Sequence, residues 1–315
     1  MDYVTLGSTG TKVSQLCLGT WRFGKETNGR VETTREEAHD LLDAAWDNGI
    51  NFIDTANSYG NGNSERYIGE WLADHDREQF VIASKVYWST RGVADRGLSR
   101  KNVRAEIEGT LERLGTDYVD LYYVHAWHPE SPIEETLSAL SELVSEGKVH
   151  YLAASNFAGW QLMKSLWTSH TNGLERFEVV QPKFNAAFRD PVANVLAVAA
   201  DQELAVCPYS PLEGGFLTGK YKRDADAPAE SRAAISERFG SFTEEQWDVL
   251  DAIRGVADEL DATPAQVSLR WLIQQEGSCI PIVGARTTEQ LEESVGATRI
   301  ELEPHHIKRI ENVNE

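Results

Sequence analysis

Four residues of the chain stand where an apolar core has no use for them. They are Asp54 and Tyr59 in FIDTANSYGNGNSERYIG, Lys85 in VIASKV and His125 in YVDLYYVHAW. Each ends or follows a short apolar run of strand character. Singly, each has an ordinary explanation: a turn residue, a buried Lys–Asp pair, a satisfied core histidine. As a set they do chemistry. An unperturbed tyrosine, with a pKa near 10, exchanges protons poorly at neutral pH. An ammonium beside the phenol favours phenolate, so a lowered pKa is expected for Tyr59. A carboxylate keeps that ammonium charged and in place. Asp54 and Lys85 fill these parts, Tyr59 becomes a general acid–base, and His125 offers a hydrogen bond to an oxygen gaining negative charge. The set suits carbonyl reduction by hydride. It includes no activated Ser or Cys nucleophile, no metal cluster and no glycosidase-type carboxylate pair.

Such residues must be brought together by strands, and the chain supplies eight. SQLCLGTW, NFIDT, FVIASKV, YVDLYYVH, VHYLAASN, FEVVQPKFN, LAVCPYS and CIPIVG alternate with amphipathic stretches. One of these, TTREEAHDLLDAAWDNG, places Ala38, Leu41, Leu42, Ala45 and Trp46 at helical spacing, with Gly49 suited to its end. Further helices are expected near 63–73 and over 100–115. Strand–helix alternation implies a parallel sheet with helices outside. Eight units with no change of composition predict one α/β domain over 1–315, a closed (β/α)8 TIM barrel. Two additions are expected: an N-terminal β-hairpin over 1–14 turning at STG, and a long loop after strand 7, residues 213–243, read as a lid.

In a barrel the C-terminal strand ends form the active face. There the chain places Asp54, Lys85, His125, Ser155-Asn156, Gln181 and Tyr209 in succession. A hydride donor is needed as well. No G-x-G-x-x-G follows a first strand, which argues against a Rossmann site. IPIVGARTTEQLEES instead joins a strand to a helix start capped by Thr287 or Thr288, an arrangement that attracts phosphate, with Arg286 as a charged fork. Tyr209 suits stacking on a nicotinamide, and Ser155, Asn156 and Gln181 suit its carboxamide.

With FIDTANSYGNGNSERYIG, VIASKV, YVDLYYVHAW, AASN, YSPLEGGFLTGKY and IPIVGARTTEQLEES in order, the chain resembles the aldo-keto reductases from end to end. It is nearest their bacterial, archaeal and channel-β-subunit-like branches. The resemblance implies a catalytic tetrad of Asp54, Tyr59, Lys85 and His125. It implies NADPH, with NADH as an alternative, extended across the barrel mouth. Ser155, Asn156, Gln181 and Tyr209 would hold the nicotinamide, and Ser210, Leu212 and Gly214 would follow the pyrophosphate. Arg286 and Thr287 would meet the ribose 2′-phosphate, Gln290 and Glu293 the adenosine, and Gly284 would also contact the cofactor. The chain departs from the common pattern at Ile282-Val283, where many members carry Lys-Ser, and at Ser294, where Asn is common. Trp21, Arg22, Trp88 and Trp127 stand in loops after strands, as a substrate-pocket lining or as packing between loops.

Composition narrows the setting. Fifty acids against thirty bases give a net charge of −20, and only ten of the bases are lysine. So acidic a chain does not seek nucleic acid, whose binding rests on neutralising phosphate. Its scattered acids predict a solvated surface adapted to brine. No run reaches the roughly 18 apolar residues of a membrane span. MDYVTLGSTG lacks a signal-peptide layout, and Cys17, Cys207 and Cys279 read as reduced core residues. A cytoplasmic enzyme acting on a small carbonyl or alcohol is expected. The alternatives are a nicotinamide-sensing regulatory subunit and a dehydrogenase working oxidatively.

Overall fold

The computed structural model describes residues 1–88, 92, 96–223, 228 and 241–313. Eight parallel strands follow one another round a barrel: Cys17–Gly19, Phe52–Asp54, Val81–Val86, Val119–Val124, Val149–Ser155, Phe177–Gln181, Ala205–Val206 and Ile282–Val283. The eighth pairs with the first through Ile282 and Cys17. Between the seventh and eighth, Ile280 N–H donates to the Val206 carbonyl at 2.8 Å. The expected (β/α)8 architecture is therefore present.

The strands are apolar on both faces because both are covered. Phe52, Ala83, Leu121, Tyr123, Ala153, Val179, Ala205 and Ile282 point inward and fill the barrel. Ile53, Ile82, Tyr122, Leu152 and Val180 alternate with them and pack outward against helices. Ala38, Leu41, Leu42 and Ala45 of the helix Arg35–Asp47 are buried as their spacing predicts. That helix is capped by Asn48, and Gly49 follows it in the left-handed region. The other two expected helices run Asn63–Leu72 and Arg100–Leu114. No helix among the described residues is long and apolar enough to cross a membrane.

The N-terminal hairpin, Tyr3–Thr5 with Lys12–Ser14, closes the floor of the barrel. Its Leu6 and Val13 join the interior cluster. Gly7 makes the contact possible: a Cβ there would come within 3.0 Å of Ala205 N and Glu178 O.

The stretch expected as a lid begins otherwise. Residues Glu213–Thr218 form a short 3-10 turn whose Phe216 and Leu217 are buried, with Tyr221, against the helices Glu244–Glu259 and Pro264–Ile273. Its start is packed because those two helices present an apolar wall. The rest of the expected lid, 224–227 and 229–240, lies outside the described residues.

Candidate active site

The same alternation that fills the barrel builds its mouth. Two residues beyond the inward-facing Phe52, Ala83, Tyr123, Ala153 and Val179 come Asp54, Lys85, His125, Ser155 and Gln181. Side chains two apart on a strand share a face. The topmost layer of the barrel interior is therefore polar. Following the same count, Cys17 leads to Gly19, Cys207 to Tyr209 and Ile282 to Gly284.

Lys85 is the centre of this layer and is fully buried. An ammonium has three N–H donors, and all three are used. Nζ donates to Asp54 Oδ1 at 2.5 Å, to the Thr55 carbonyl at 2.8 Å and to Tyr59 Oη at 3.1 Å. The second oxygen of Asp54 accepts from Gln181 Nε2 at 2.8 Å, so the buried carboxylate is held at both ends. Burial disfavours the Lys85 charge, but Asp54 and then Tyr59 outweigh it, and the pKa lies above its ordinary value. The ammonium stays charged.

Tyr59 departs from expectation. Burial, the largest influence, pushes its phenol up; the Lys85 charge pulls it down, and Asp54 pushes it up again. The net direction is upward, so the lowered pKa expected from the sequence is corrected. The reason is that the carboxylate needed to hold the lysine offsets part of the lysine's field, and desolvation does the rest. The geometry gives the ammonium another role. Because Tyr59 Oη accepts from Lys85, its own O–H must point elsewhere. The phenol is protonated at neutral pH and free to donate.

His125 lies beside it, with ring centroids 6.0 Å apart in an edge-to-face arrangement. Burial and the nearby Lys85 charge lower its pKa to about 3. The imidazole is therefore neutral at physiological pH, with no imidazolium proton to give up.

The remaining expected residues form a rim. Asn156, in the left-handed region that Asn tolerates, ties three strand ends together. Its Nδ2 donates to the His125 carbonyl at 2.9 Å and to Ser155 Oγ at 3.0 Å, while its Oδ1 accepts from Tyr209 Oη at 2.9 Å. Ser155 Oγ donates to the Gln181 carbonyl. Ser210, Glu213, Gly214 and Gly215 all have positive φ, an unusual density within six residues. Strain of this kind gathers at ligand clamps and persists only where the surroundings impose it. Here the anchor is the buried Glu213, which accepts from Lys183 Nζ at 2.6 Å and Asn185 Nδ2 at 2.7 Å. Leu212 leads into this turn.

After the neighbouring eighth strand, Thr287 rather than Thr288 caps the helix Thr288–Gly296, accepting from Gln290 N. Gln290 Oε1 accepts in return from the Arg286 N–H at 3.0 Å, so Gln290 braces the turn that carries the arginine. Glu293 is half-buried, its carbonyl accepting from Gln266 Nε2 at 3.2 Å. At Gly284 a Cβ would find only the Gly19 carbonyl, at 3.8 Å. Gly284 thus leaves space at the end of the eighth strand, whereas at Gly19 a Cβ would meet the Ile282 side chain at 2.6 Å. The space at Gly284, the left-handed backbone after the neighbouring seventh strand and a helix start beside an arginine suit an extended, phosphate-bearing dinucleotide.

The substrate-pocket candidates divide. Trp21 and Trp88 are about two-fifths exposed at the mouth, and Trp127 packs edge-on against Phe157. Arg22 is committed to Glu32 in an ion pair at 2.5 Å, so it is tied into its own loop. That loop is a small hairpin, Glu26–Thr27 with Arg30–Val31, which the sequence reading missed although Asn28-Gly29 is its usual turn signal. Also missed was Asn57, whose Nδ2 donates to the Trp88 carbonyl and to buried Glu106, both at 2.8 Å, pinning the segment between Asp54 and Tyr59. Nothing in the local sequence distinguishes it from a turn asparagine.

Comparison with known proteins agrees with this geometry. The model of the aldo/keto reductase family matches residues 15–315. An uncharacterized oxidoreductase, YrpG, of Bacillus subtilis is 36% identical, covering 99% of this chain and 96% of that protein. Norsolorinic acid reductase B of Aspergillus parasiticus is 35% identical, over 96% of this chain and 81% of its own. The crystal structure of a thermostable aldo-keto reductase, Tm1743, in complex with the inhibitor epalrestat superposes over the whole of both chains with a TM-score of 0.80 at 32% identity. The chain belongs to the aldo/keto reductase family of oxidoreductases.

Proposed function

We propose that the protein reduces aldehyde or ketone carbonyls to alcohols with NADPH, Tyr59 serving as the general acid. The observation that carries this reading is the hydrogen bond from the Lys85 ammonium to Tyr59 Oη, which leaves the phenol proton directed away from the lysine. When bound, the reduced nicotinamide supplies hydride. Ser155, Asn156, Gln181 and Tyr209 are the residues suited to its ring end, and Ser210, Leu212 and Gly214 to its pyrophosphate. Arg286 and Thr287 suit a 2′-phosphate, Gln290 and Glu293 the adenosine, and Gly284 leaves space beside the cofactor.

The chain's own residues handle the oxygen. Neutral His125 donates a hydrogen bond to the carbonyl oxygen as negative charge grows on it. Tyr59 transfers its proton to that oxygen. The resulting phenolate lies against the Lys85 ammonium, which Asp54 and Gln181 hold in place, so charge is stabilised at the moment it forms. The mouth tryptophans favour an apolar or aromatic carbonyl compound, in keeping with a relative named for reducing norsolorinic acid. The acid-rich, lysine-poor surface suits a salt-rich cytoplasm.

Steady-state assay of a panel of aliphatic, aromatic and sugar carbonyls with NADPH and NADH tests the reading. Reduction of aromatic aldehydes or ketones, faster with NADPH, is expected. Turnover confined to alcohol oxidation, or none with any carbonyl while NADPH binds, would contradict it.

A further inference from the structure

The hydrogen bond that directs the phenol proton joins two separate pieces of chain. Lys85 stands on the strand Val81–Val86, and Tyr59 on the turn ahead of the helix Asn63–Leu72. That turn does not hold itself. Gly60, Asn61 and Gly62 follow Tyr59 with φ of 55°, 55° and 89°, three left-handed residues in succession. Such conformations persist only where the surroundings impose them.

The surroundings here contain two buried carboxylates. Glu65, in the first turn of the helix, is fully buried. Its Oε1 accepts from Ser84 Oγ and its Oε2 from Arg113 Nε, both at 2.6 Å. Ser84 adjoins Lys85 on the strand and points to the opposite face. Glu106, equally buried, accepts from Asn57 Nδ2, which also donates to the Trp88 carbonyl. Asn57 and Glu65 therefore flank Tyr59, as Ser84 and Trp88 flank Lys85. The far anchors, Glu106 and Arg113, lie seven apart on the helix Arg100–Leu114 and share one of its faces. The turn also rests on that arginine: a Cβ on Gly62 would come within 2.9 Å of Arg113 Cδ.

Stability is a poor reason for this arrangement. A buried ion pair gains little over apolar side chains of the same volume, because desolvation offsets the attraction. Its hydrogen bonds do fix distances between the segments it joins. We propose that Glu65 and Glu106 are positioning residues for carbonyl reduction, setting the approach of Tyr59 Oη to Lys85 Nζ. This rests on the reading of Tyr59 as the general acid. Lys85 directs its three donors to Asp54, Thr55 and Tyr59, so the two acids act on it only through the segments they hold.

Single-turnover reduction of para-nitrobenzaldehyde, or a faster carbonyl of the panel, by bound NADPH tests this. Glu65→Gln, Ser84→Ala and Glu106→Gln are each measured alone and combined with Tyr59→Phe. Ser84→Ala cuts the Glu65 link without removing a charge, so that arm stands even where Glu65→Gln does not fold. Melting curves show which variants are folded. With Tyr59 present, each folded variant should slow hydride transfer about ten- to a hundredfold, as a misplacement of about 1 Å does. The KM for the carbonyl and the affinity for NADPH should hold. In the Tyr59→Phe background the same substitutions should alter the remaining rate by less than about twofold, because residues that act through Tyr59 are not additive with it. Equal losses in both backgrounds would make the carboxylates merely structural and overturn the proposal. Folded variants with the wild-type rate would overturn it as well. A Tyr59→Phe variant with the wild-type rate, or a wild type that reduces no carbonyl of the panel, would remove the general-acid reading and the proposal with it.

Discussion

The two sides of the barrel mouth are built on opposite plans. On the side of the second and third strands, Asp54 and Lys85 sit on the strands themselves, and every hydrogen-bonding atom shown for the pair is satisfied within 3.1 Å. On the side of the seventh and eighth strands, function falls to loops. Ser210, Glu213, Gly214 and Gly215 hold left-handed backbone by way of one buried acid, and Arg286 stands on a turn braced by Gln290. The first side fixes a proton to be given up in one direction. The second, in the proposed reading, receives the extended cofactor. Asp54 and Lys85 stand on strands and tether Tyr59, which lies on the 3-10 turn Tyr59–Gly62, whereas the proposed cofactor residues of the other side stand on loops, so damage to the two should differ in kind.

Lys85→Met is the severest way to break the strand side. It leaves Asp54 buried beside an apolar chain, a change that costs about 3–5 kcal/mol when a buried pair loses one partner. Turnover should fall at least about a hundredfold. Thermal melting and single-turnover rates check both, and a variant of near wild-type stability would mean that the pair is not the rigid unit described.

Arg286→Ala attacks the loop side. A charge-assisted hydrogen bond is worth roughly 1.5–3 kcal/mol, so NADPH should bind about ten- to a hundredfold more weakly. NADH should be nearly unaffected, and the single-turnover rate at saturation should hold. Equal weakening of both cofactors, read by fluorescence titration, would move Arg286 to the pyrophosphate or adenine.

The pH dependence sharpens the contrast within the strand side. His125, ordinarily near 6.5, lies at about 3 in the folded chain. Between those values the unfolded state binds the proton and the folded state does not. The stabilisation is thus fully present above about pH 6.5 and drains away as pH falls toward 3. His125→Gln should lose less melting temperature than wild type on going from pH 7 to 5. Tyr59, raised by burial, should give carbonyl reduction no inflection below its ordinary value near 10. An inflection near 7 that vanishes in Tyr59→Phe would restore the lowered pKa expected from sequence.

Salt should act weakly on the site and more strongly on the whole. The acids of a chain at −20 interact over about 30 Å at 0.01 M ionic strength. Melting temperature should rise across a potassium chloride series, whereas the ratio of NADPH to NADH affinity should move less. A flat melting response would remove the adaptation to brine and leave the chemistry untouched.

The same contrast governs what could be read from the sequence. Asp54, Lys85, His125 and Gln181 were legible because a polar residue two beyond an inward apolar one breaks a period-two pattern, and strand order then brings them together. The barrel followed from the alternation of eight strand and helix runs, and the N-terminal hairpin from its STG turn. The clamp was not legible. Glu213 meets Lys183 across 30 residues and Asn185 across 28, with no periodic pattern connecting them. The Tyr59 shift was misjudged because its sign depends on how fully the phenol is buried and how near Asp54 lies, which spacing does not reveal. The hairpin at Asn28-Gly29 was written plainly and went unread.

The account rests on Tyr59 as the proton donor, and single-turnover oxidation of NADPH by Tyr59→Phe tests that most directly. The aromatic ring and its packing remain while the donor is lost. The rate should fall about 10²–10⁴-fold, the usual worth of a positioned general acid, with NADPH affinity and melting temperature unchanged. Retention of more than a tenth of the wild-type rate would contradict the assignment and place the proton donor elsewhere in the mouth.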